Sequence, residues 1–399
     1  MKTFLKQKHV YIAFVAVFAV ILLLGLAQLG SSVNPVPRNL PVILVQQDAG
    51  EKLPTGQEMN FGKLLQDKIT AAPTQEGAAS PLQWTVAASE QEAVDAMNRQ
   101  QAYGAVVIPA DFSRKLLSLT TPQGQPAAAV LYTNPGMNNT ADTMVNQILN
   151  QMLAGMNGQV REQLLGQIAK QGGTLTAEQT KAFAAPIQLT TTTVNPVGTS
   201  SMNGNAPVAL TQLAWFGAMV ATLLLFMAAG KAAAQSGSVT HLLRVRLAQL
   251  LGGAVLSAFA AGSIVLVAGE WLGLTIRDYS ETWLFLWFTG FAFFLLQTAI
   301  VSWLGLKGVP LFVLVFFFGA PVLALPPEML PSFSHDWLYT WMPLRFGAAG
   351  LRDVLYFGQG LNLSAPMWTL GWIGAAGLVL TVLSAAKRQP KPTAAATAA

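Results

Sequence analysis

Few side chains in this 399-residue sequence have a type and a spacing that could support chemistry. The chain contains no cysteine, which excludes disulfides, thiolate catalysis and cysteine-bound zinc. Its three histidines, His9, His241 and His335, fall in separate segments and form no metal site by local spacing. Asp48 and Asp111 follow predicted strands, where catalytic carboxylates often lie, but neither has a base or a nucleophile beside it. We therefore predict no catalytic residue, no metal, no cofactor and no enzymatic activity.

Both aspartates lie in a polar block, residues 31–206, in which predicted strands and helices alternate. Short apolar runs bounded by turn residues predict five strands: Pro41–Val45, Gln83–Val86, Tyr103–Ile108, Ala127–Tyr132 and Pro186–Val194. Apolar residues at helical spacing predict helices between them, one of which begins at a capping box formed by Ser89 and Glu92. The alternation predicts an α/β domain.

One helix of this domain, Asn139–Lys170, is expected to be much longer than the others. Apolar residues, several of them methionines, recur along it at a spacing near four and predict one amphipathic face. This face could pack on the sheet or on a second subunit. Alternatively, it could form an adaptable methionine-rich surface that contacts a substrate.

Six uncharged apolar segments, each near the roughly 20 residues that cross a bilayer, predict a polytopic α-helical membrane protein. One precedes the α/β domain and five follow it: Val10–Leu29, Leu210–Ala229, Leu247–Ala268, Trp283–Leu304, Val309–Leu325 and Met367–Ser384. The composition agrees, with 52% hydrophobic and 10% charged residues. Residues 1–30 are thus expected to form an uncleaved transmembrane anchor and residues 207–386 a five-helix membrane domain.

The charges of the chain are sorted by these segments. If the N-terminus is cytoplasmic, the inside segments hold ten of the 23 Lys and Arg residues and none of the 18 Asp and Glu residues. By the positive-inside rule this predicts a plasma-membrane protein with residues 31–206 outside and both termini, including the tail 387–399, in the cytoplasm. Anionic membrane lipid then accounts for the net charge of +5, and no nucleic acid partner is expected.

The five C-terminal spans carry no formal charge in their cores, which argues against an ion-coupled carrier. Four polar side chains in these spans could line a translocation surface or form hydrogen bonds between helices: Gln212, Gln297, Thr298 and Ser302. Gly253, Ser257 and Ala261 recur every four residues, which predicts a face for close helix packing.

Two segments outside the spans are distinctive. The basic loop Gly230–Arg246 could anchor the protein by its positive charge, or it could receive a motor protein through four candidate docking residues: Lys231, His241, Arg244 and Arg246. The outside segment 326–366 is too apolar for a free loop and predicts a re-entrant or interfacial hairpin. Within it, Leu351–Tyr356 is expected to form a short amphipathic helix that returns to the surface.

A set of short motifs extends over almost the full length of the chain: Leu40–Gly50, Phe61-Gly62, Ala102-Tyr103-Gly104, Ile108–Ser113, Leu131–Asn134, Asn138-Asn139, Asn195–Val197, Gly204–Pro207, Met342-Pro343 and Gly350–Arg352. Together they resemble the YhgE/Pip family of bacterial membrane proteins, which belongs to the larger ABC-2 permease group and includes a phage infection protein.

The resemblance implies one span before and five spans after a large outside domain, and the export of a lipophilic or envelope-associated substrate. It also implies an outside gate segment that contains Pro343, Arg345 and Arg352. Two features differ from the family. The outside domain is short and lacks a long coiled-coil insertion, and the residues before the first span are too few for an amphipathic elbow helix. The loop Gly230–Arg246 is therefore the one expected docking site for a motor.

These observations lead us to expect a permease subunit of an ABC-2 type exporter. The sequence contains no G-x-x-x-x-G-K-[ST] phosphate-binding loop, so a separate ABC ATPase is expected to supply the energy. A homodimer is expected to provide twelve spans and a path between subunits. The alternative is a non-transport envelope protein, namely an adhesion, scaffold or phage-contact platform that uses residues 31–206, or an accessory part of a secretion system.

Overall fold

The computed structural model of the protein describes residues 36–52, 58–70, 80–121, 123–170, 176–235, 238–362 and 364–386, together with Val15, Phe18 and Leu22. These residues form an α/β region that ends at residue 205 and a helical bundle that begins at Ala206. The tail 387–399 lies outside the described residues, and so does the predicted anchor apart from these three residues. They are helical, and their side chains are exposed.

A five-stranded mixed sheet forms the centre of the α/β region. In the order β4-β1-β5-β6-β7, its strands are Leu82–Ala87, Leu40–Gln46, Gly104–Ile108, Ala127–Thr133 and Ile187–Thr193. β1 is parallel to β4 and β5, β5 is antiparallel to β6, and β6 is parallel to β7. A separate short pair consists of β2 (Glu51–Lys52) and β3 (Glu58–Met59). All five predicted strands are confirmed, and the apolar run of β1 is buried because the strand is central.

Five helices accompany the sheet in the residues that the structure describes: α1 (Phe61–Thr70), α2 (Glu90–Asn98), α3 (Phe112–Ser118), α4 (Asn139–Lys170) and α5 (Ala177–Ala184). The long helix α4 packs its apolar face on the core that contains Leu44 and Leu131, with Met152 and Met156 partly buried there and Leu164 fully buried. Of the two interpretations of this face, packing on the sheet is therefore the one observed.

The helix caps differ in detail from the prediction. Ser89 caps α2 by accepting a hydrogen bond from the backbone N–H of Glu92 at 3.2 Å. The Glu92 carboxylate, however, accepts from the N–H of Ala88 at 2.9 Å, so the predicted reciprocal bond to Ser89 is displaced by one residue. A full capping box, which was not predicted, joins Thr176 and Gln179 at the start of α5.

The bundle contains six α-helices among the described residues: α6 (Ala206–Ala233), α7 (Val239–Val265), α8 (Tyr279–Leu304), α9 (Val309–Ala324), α10 (Pro343–Arg352) and α11 (Ala365–Leu383). Within the described part of the chain, four helical stretches are long and apolar enough to cross a membrane: Ala206–Ala233, Val239–Trp271, Tyr279–Ala324 and Ala365–Ala386. Length and apolar composition thus support membrane association of this half of the chain.

The third stretch contains two of the predicted spans, α8 and α9, because the connecting turn Gly305–Gly308 is itself a 3₁₀-helix. Gly305, at the end of α8, adopts a φ of 66°, a conformation that favours glycine. At the other end of α9, the carbonyl of Ala324 accepts a hydrogen bond from Asn138 of the α/β region at 3.4 Å. α9 therefore runs back from the end of α8 towards the α/β region.

The predicted small-residue stripe on α7 is a packing face. Gly253, Ser257 and Ala261 are all buried. A Cβ atom at Gly253 would lie 2.0 Å from the ring of Phe294 on α8, and one at Gly290 of α8 would lie 3.8 Å from Ser257. The two helices are thus antiparallel and closely packed, as the sequence predicts.

The segment between α9 and α11 packs partly on the bundle, whereas Phe333, Trp337 and Trp341 are exposed, so its interpretation as a re-entrant or interfacial hairpin stays a prediction. A 3₁₀ turn (Pro327–Met329) and a π-helical turn (Ser334–Tyr339) lead to α10, which continues as a second π-helical turn, Asp353–Phe357. The expectation that Leu351–Tyr356 returns to the surface is wrong, since all of these residues except Arg352 are buried. They pack between the bundle and the α/β region, where a Cβ at Gly136 would lie 3.2 Å from Tyr356.

Candidate functional site

Asp48 lies in a buried polar cluster, here called the Asp48 node, with Gly62 and Ser113. Its carboxylate accepts hydrogen bonds from the backbone N–H groups of Gly62 at 3.0 Å and Ser113 at 2.9 Å, and from the Ser113 hydroxyl. The Ser113 oxygen also accepts from the backbone N–H of Phe61 at 2.8 Å. Asp48 is 5% exposed. Helices α1 and α3 therefore both begin at one carboxylate.

The node fills the place where a parallel sheet commonly binds an anion. Asp48 follows β1, next to the parallel strand β5, and the free N–H groups at the starts of α1 and α3 point at it. A Cβ atom at Gly62 would lie 2.5 Å from the Cβ of Asp48, so glycine is required for this approach. The protein thus supplies the negative charge itself, and Asp48 has a structural role.

Asp111, the other candidate carboxylate, lies in a different environment. It precedes α3, is partly exposed, and forms an ion pair with Lys115 at 2.9 Å. The hydrogen bond from Lys115 lowers the pKa of this carboxyl below its usual value. Asp111 thus marks the start of a helix, as its sequence context predicts.

A second buried polar cluster, here called the polar seam, runs between α6, α7 and α8. Its members are hydroxyl or amide side chains that are at most 5% exposed: Thr211, Thr222, Gln249, Ser257, Thr289, Gln297 and Thr298. Two of the predicted polar residues, Gln297 and Thr298, therefore lie here, and both form bonds between helices. Gln297 donates to the carbonyl of Trp215 at 3.3 Å, and Thr298 shares a hydrogen bond with Thr222 at 3.3 Å.

Several atoms of the seam have no hydrogen-bond partner. Among the described residues, the buried side-chain atoms without one are Gln249 Nε2, Ser257 Oγ, Thr289 Oγ1, Gln297 Oε1, Ser302 Oγ, Arg352 Nε and Tyr356 Oη. All seven belong to the bundle. Ser302, another predicted candidate, lies one helical turn beyond Thr298, whereas Gln212 is only half-buried and stands outside the seam.

The seam has two layers. In the layer near the α/β region, Thr211 and Thr289 both flank Gly347 of α10, where a Cβ atom would lie 2.7 Å and 3.0 Å from their methyl groups. The other layer contains the bonded pair Thr222 and Thr298. The rings of Trp215 and Phe293 meet edge to face, with centroids 5.0 Å apart, at a level between the layers.

Helix α10 covers the first layer and holds the three predicted gate residues. Pro343 is the first residue of α10 and is buried. Arg345 donates to the carbonyls of Tyr339 at 3.1 Å and Thr340 at 3.2 Å, and its guanidinium lies over the Tyr339 ring at 4.5 Å. Arg345 therefore fixes the preceding π-helical turn to α10. Arg352 lies at the opposite end of the helix.

The predicted docking loop Gly230–Arg246 connects α6 to α7 and is mostly helical. Backbone hydrogen bonding continues beyond the apolar residues: α6 extends to Ala233 and α7 begins at Val239. Lys231 and Arg244 are exposed on these two helix ends.

The two remaining docking candidates have partners within the bundle. The Nε2 atom of His241 lies 2.9 Å from the carbonyl oxygen of Ala232, which joins the start of α7 to the end of α6. Arg246 donates to the side-chain oxygen of Gln249 at 2.8 Å and so connects the basic end of the bundle to the polar seam.

Hydrogen bonds join the α/β region to the segment around α10. The Tyr103 hydroxyl donates to the Glu328 carboxylate at 2.8 Å, and the Gln100 amide donates to the Asp353 carboxylate. The Gln359 amide donates to a backbone carbonyl of the α/β region at 3.0 Å. Burial, followed by the charge of Glu328, raises the pKa of Tyr103 well above its usual value, so this hydroxyl remains a donor. Burial also raises the pKa of Asp353.

A family model described as a protein of unknown function (DUF3533) matches residues 12–375. The chain belongs to this family. The match covers the Asp48 node, the polar seam and α10. No curated protein and no solved structure matches the chain. The description of the family mentions neither YhgE/Pip proteins nor transport, so the resemblance drawn from the motifs stays a prediction.

Five members of the seam were not predicted as polar candidates from the sequence: Thr211, Thr222, Gln249, Ser257 and Thr289. The spacing of two of these residues could have indicated a shared polar face. Thr211 and Thr222 are eleven residues apart, close to three helical turns, and so lie on one face of α6. Threonine is common in membrane helices, where it can bond its own backbone. Its presence alone therefore did not distinguish this face.

Proposed function

We propose that the protein is the permease subunit of an ABC-2 type exporter, which moves a lipophilic or envelope-associated substrate out of the cytoplasm or the inner leaflet with a separate ATPase. The observation that carries the proposal is the hydrogen-bonded joint between the α/β region and α10. Contacts such as Tyr103–Glu328 and Gln100–Asp353 can transmit movement between the two parts. An adhesion platform on a tether needs no such joint.

The proposal includes six membrane crossings, with residues 31–206 outside and both termini in the cytoplasm. Support comes from the opposite directions of α8 and α9, as expected if α6, α7, α8, α9 and α11 are five alternating crossings. The apolar segment Val10–Leu29 would provide the sixth. In sealed vesicles, single cysteines at Gln147 and Thr240 are expected to react with an impermeant thiol reagent from opposite sides. Reaction from the same side would contradict this topology.

The proposed ATPase binds at the basic end of the bundle. The charged side chains of residues 230–246 are all basic, and Lys231 and Arg244 are exposed there. A complementary acidic surface on the motor would increase both the rate and the specificity of association. A homodimer, with two such ends side by side, is part of the proposal.

Purification of the full-length protein from its native host tests this function. An ATPase is expected to co-elute with the wild type and to be lost from the double variant Lys231→Glu, Arg244→Glu. The matched control reverses two exposed charges of the α/β region, Lys63→Glu and Arg161→Glu, and should retain the ATPase. Absence of any ATPase from the wild-type preparation would overturn the proposal.

A truncation separates the permease from an envelope platform. Residues 1–206 keep the anchor and the α/β region but lose the bundle. A permease requires that this fragment fails to complement a deletion strain even when it reaches the membrane. Full complementation by the fragment would favour the adhesion, scaffold or phage-contact function.

A further inference from the structure

We infer that the polar seam is a hydrated path inside a single subunit, along which the polar end of an amphipathic cargo crosses the bundle, and that α10 closes its outer end. The inference rests on the proposed function and specifies the path, which the sequence analysis placed between two subunits. Four observations support it: unpaired atoms, a layered arrangement, an opening at the basic end and a cover at the other end.

The unpaired atoms are the first observation. A buried polar group without a partner is costly, and hydrocarbon offers it no alternative partner. Thr289 and Ser257 could have bonded the carbonyl one turn earlier in their own helices, as Thr211 does with Pro207 at 2.7 Å. Among the described residues their hydroxyl oxygens have no partner. Water or the polar end of a cargo would satisfy them.

The layered arrangement is the second observation. α7 and α8 are antiparallel, and Ser257 packs beside Gly290, the residue that follows Thr289. Since Gly253 packs against Phe294, one further helical turn brings Gln249 to the level of Thr298. Each layer therefore combines polar groups from all three helices. A bound water requires two to four such partners, so each layer supplies the polar groups that a water needs.

The opening lies at the basic end. A cavity of about 70 Å³ lies between the ends of α6, α7 and α11 and is lined by Arg246, Phe226 and Ser384, among others. Arg246 donates to Gln249, the seam residue nearest this end. The guanidinium is therefore placed to attract the anionic or otherwise polar end of a cargo from the cytoplasmic side into the inner layer.

The cover lies at the other end. Gly347 of α10 packs directly on Thr211 and Thr289, and a Cβ atom at Gly350 would lie 2.2 Å from the Phe285 ring, so α10 seals the outer layer tightly. α10 is in turn held to the α/β region through Asp353 and Gln100. Movement of the α/β region would therefore lift the cover. Between the layers, Trp215 and Phe293 close the path in the state seen here.

Cysteine accessibility tests the inference, and the natural chain has no cysteine to interfere. Thr289→Cys samples the outer layer and Thr298→Cys the inner layer in the full-length protein. Ala292→Cys is the matched control, since Ala292 is as deeply buried on α8 but packs against Gly374 of α11. The probe is the impermeant cation methanethiosulfonate-ethyltrimethylammonium, applied to sealed vesicles of either orientation.

Both seam thiols are expected to react about tenfold faster than the control or more, since a dry apolar site raises the thiol pKa and suppresses the reactive thiolate. Thr289→Cys should react from the α/β side whenever thermal movement lifts α10, and Thr298→Cys should react from the opposite side. Rates no faster than the Ala292→Cys rate at both positions would overturn the inference. Reaction of Thr298→Cys from the α/β side would overturn the assignment of Trp215 and Phe293 as the barrier between the two layers.

A second pair of cysteine variants repeats the measurement in case the first pair does not fold. Ser257→Cys and Gln249→Cys sample the same two layers from α7, with the exposed Val255→Cys as the control that faces outward from the bundle. The assay needs neither cargo nor motor. Unreactive seam thiols in a protein that still co-purifies an ATPase would therefore refute the path alone, whereas reactive thiols in a protein without an ATPase would refute the exporter alone.

Discussion

The Asp48 node and the polar seam are both buried and polar, but they treat their polar groups in opposite ways. In the node, both carboxylate oxygens of Asp48 accept hydrogen bonds, and the Ser113 hydroxyl both donates and accepts. In the seam, Thr289, Ser257 and Gln249 each keep an atom without a partner among the described residues. The node lies in the α/β region and the seam in the bundle.

This difference shows which part of the molecule is fixed and which part is suited to change. A fully bonded buried cluster favours one arrangement, because any movement breaks several hydrogen bonds at once. A partly bonded cluster loses little by moving and can gain partners in another state. The α/β region is therefore expected to move as a rigid body, while the helices around the seam rearrange.

Removal of the carboxylate from the node should have the largest effect. Asp48→Ala leaves two backbone N–H groups and the Ser113 hydroxyl without their acceptor, so we expect a loss of roughly 3–5 kcal/mol of local stability. Hydrogen exchange of the α1 and α3 amides in the full-length protein measures it. Asp67→Ala, an exposed aspartate on α1, is the control and should change exchange little. Unchanged protection in Asp48→Ala would contradict a stabilising node.

The sequence predicts the strands and helices around the node but not the node itself. The apolar run of β1 and the helical spacing around α1 are local patterns, and the structure confirms them. The bonds of Asp48 join residues 14 and 65 positions away in the chain. No local pattern encodes such distances. The motifs containing Asp48, Gly62 and Ser113 were recognised only as pieces of a family resemblance, and the structure shows that they meet.

A pair of glycine substitutions compares packing in the two clusters. Gly62→Ala would place its Cβ 2.5 Å from the Cβ of Asp48, and we expect a loss of about 1–3 kcal/mol from overpacking. Gly290→Ala would meet Ser257 at an ordinary 3.8 Å. Since alanine favours helices over glycine by about 1 kcal/mol, this variant should be neutral or more stable. Thermal unfolding in detergent measures both, and equal losses would show that the seam is packed as tightly as the node.

The sequence predicted less of the bundle than of the α/β region. Apolar runs located the helices, but apolar composition cannot show where helical structure continues past a basic residue such as Lys231. It also cannot show that Leu351–Tyr356 is buried, because an amphipathic helix suits a membrane surface and a domain joint equally well. Gln297 and Thr298 stood out in the sequence as polar residues. Their layers became visible only when the register of α7 against α8 was known.

Asp142 provides a pH test within the α/β region. Its carboxylate accepts from the N–H of Asn134 at 2.8 Å, but burial raises its pKa from 3.8 to about 6. The folded state therefore holds this proton more tightly than the unfolded state, and stability is lost as the pH rises from about 4 through about 6. Asp142→Asn should match the wild type near pH 4 and be more stable by roughly 1–3 kcal/mol at pH 7.5.

The measurement for Asp142 is the difference in unfolding midpoint between variant and wild type across that pH range. Asp67→Asn, with its exposed side chain, controls for the general loss of one negative charge. A variant that is less stable than the wild type at pH 7.5 would show that the ionised carboxylate is stabilised by its hydrogen bonds, as in the node. The α/β region would then contain two clusters of the same kind.

The smallest effect on stability is expected from Thr289→Val, which replaces the unpaired hydroxyl of the seam with a methyl group of similar size. Because Thr289 Oγ1 bonds no other described atom, the change should alter unfolding in detergent by no more than about 1 kcal/mol. If the seam carries cargo, the same variant should nevertheless fail to complement a deletion strain. Thr369→Val is the control, since Thr369 is only partly buried on α11 and donates to Ala365 of its own helix. A stability loss of several kcal/mol in Thr289→Val would give its hydroxyl a stabilising role, and the contrast between node and seam would fail.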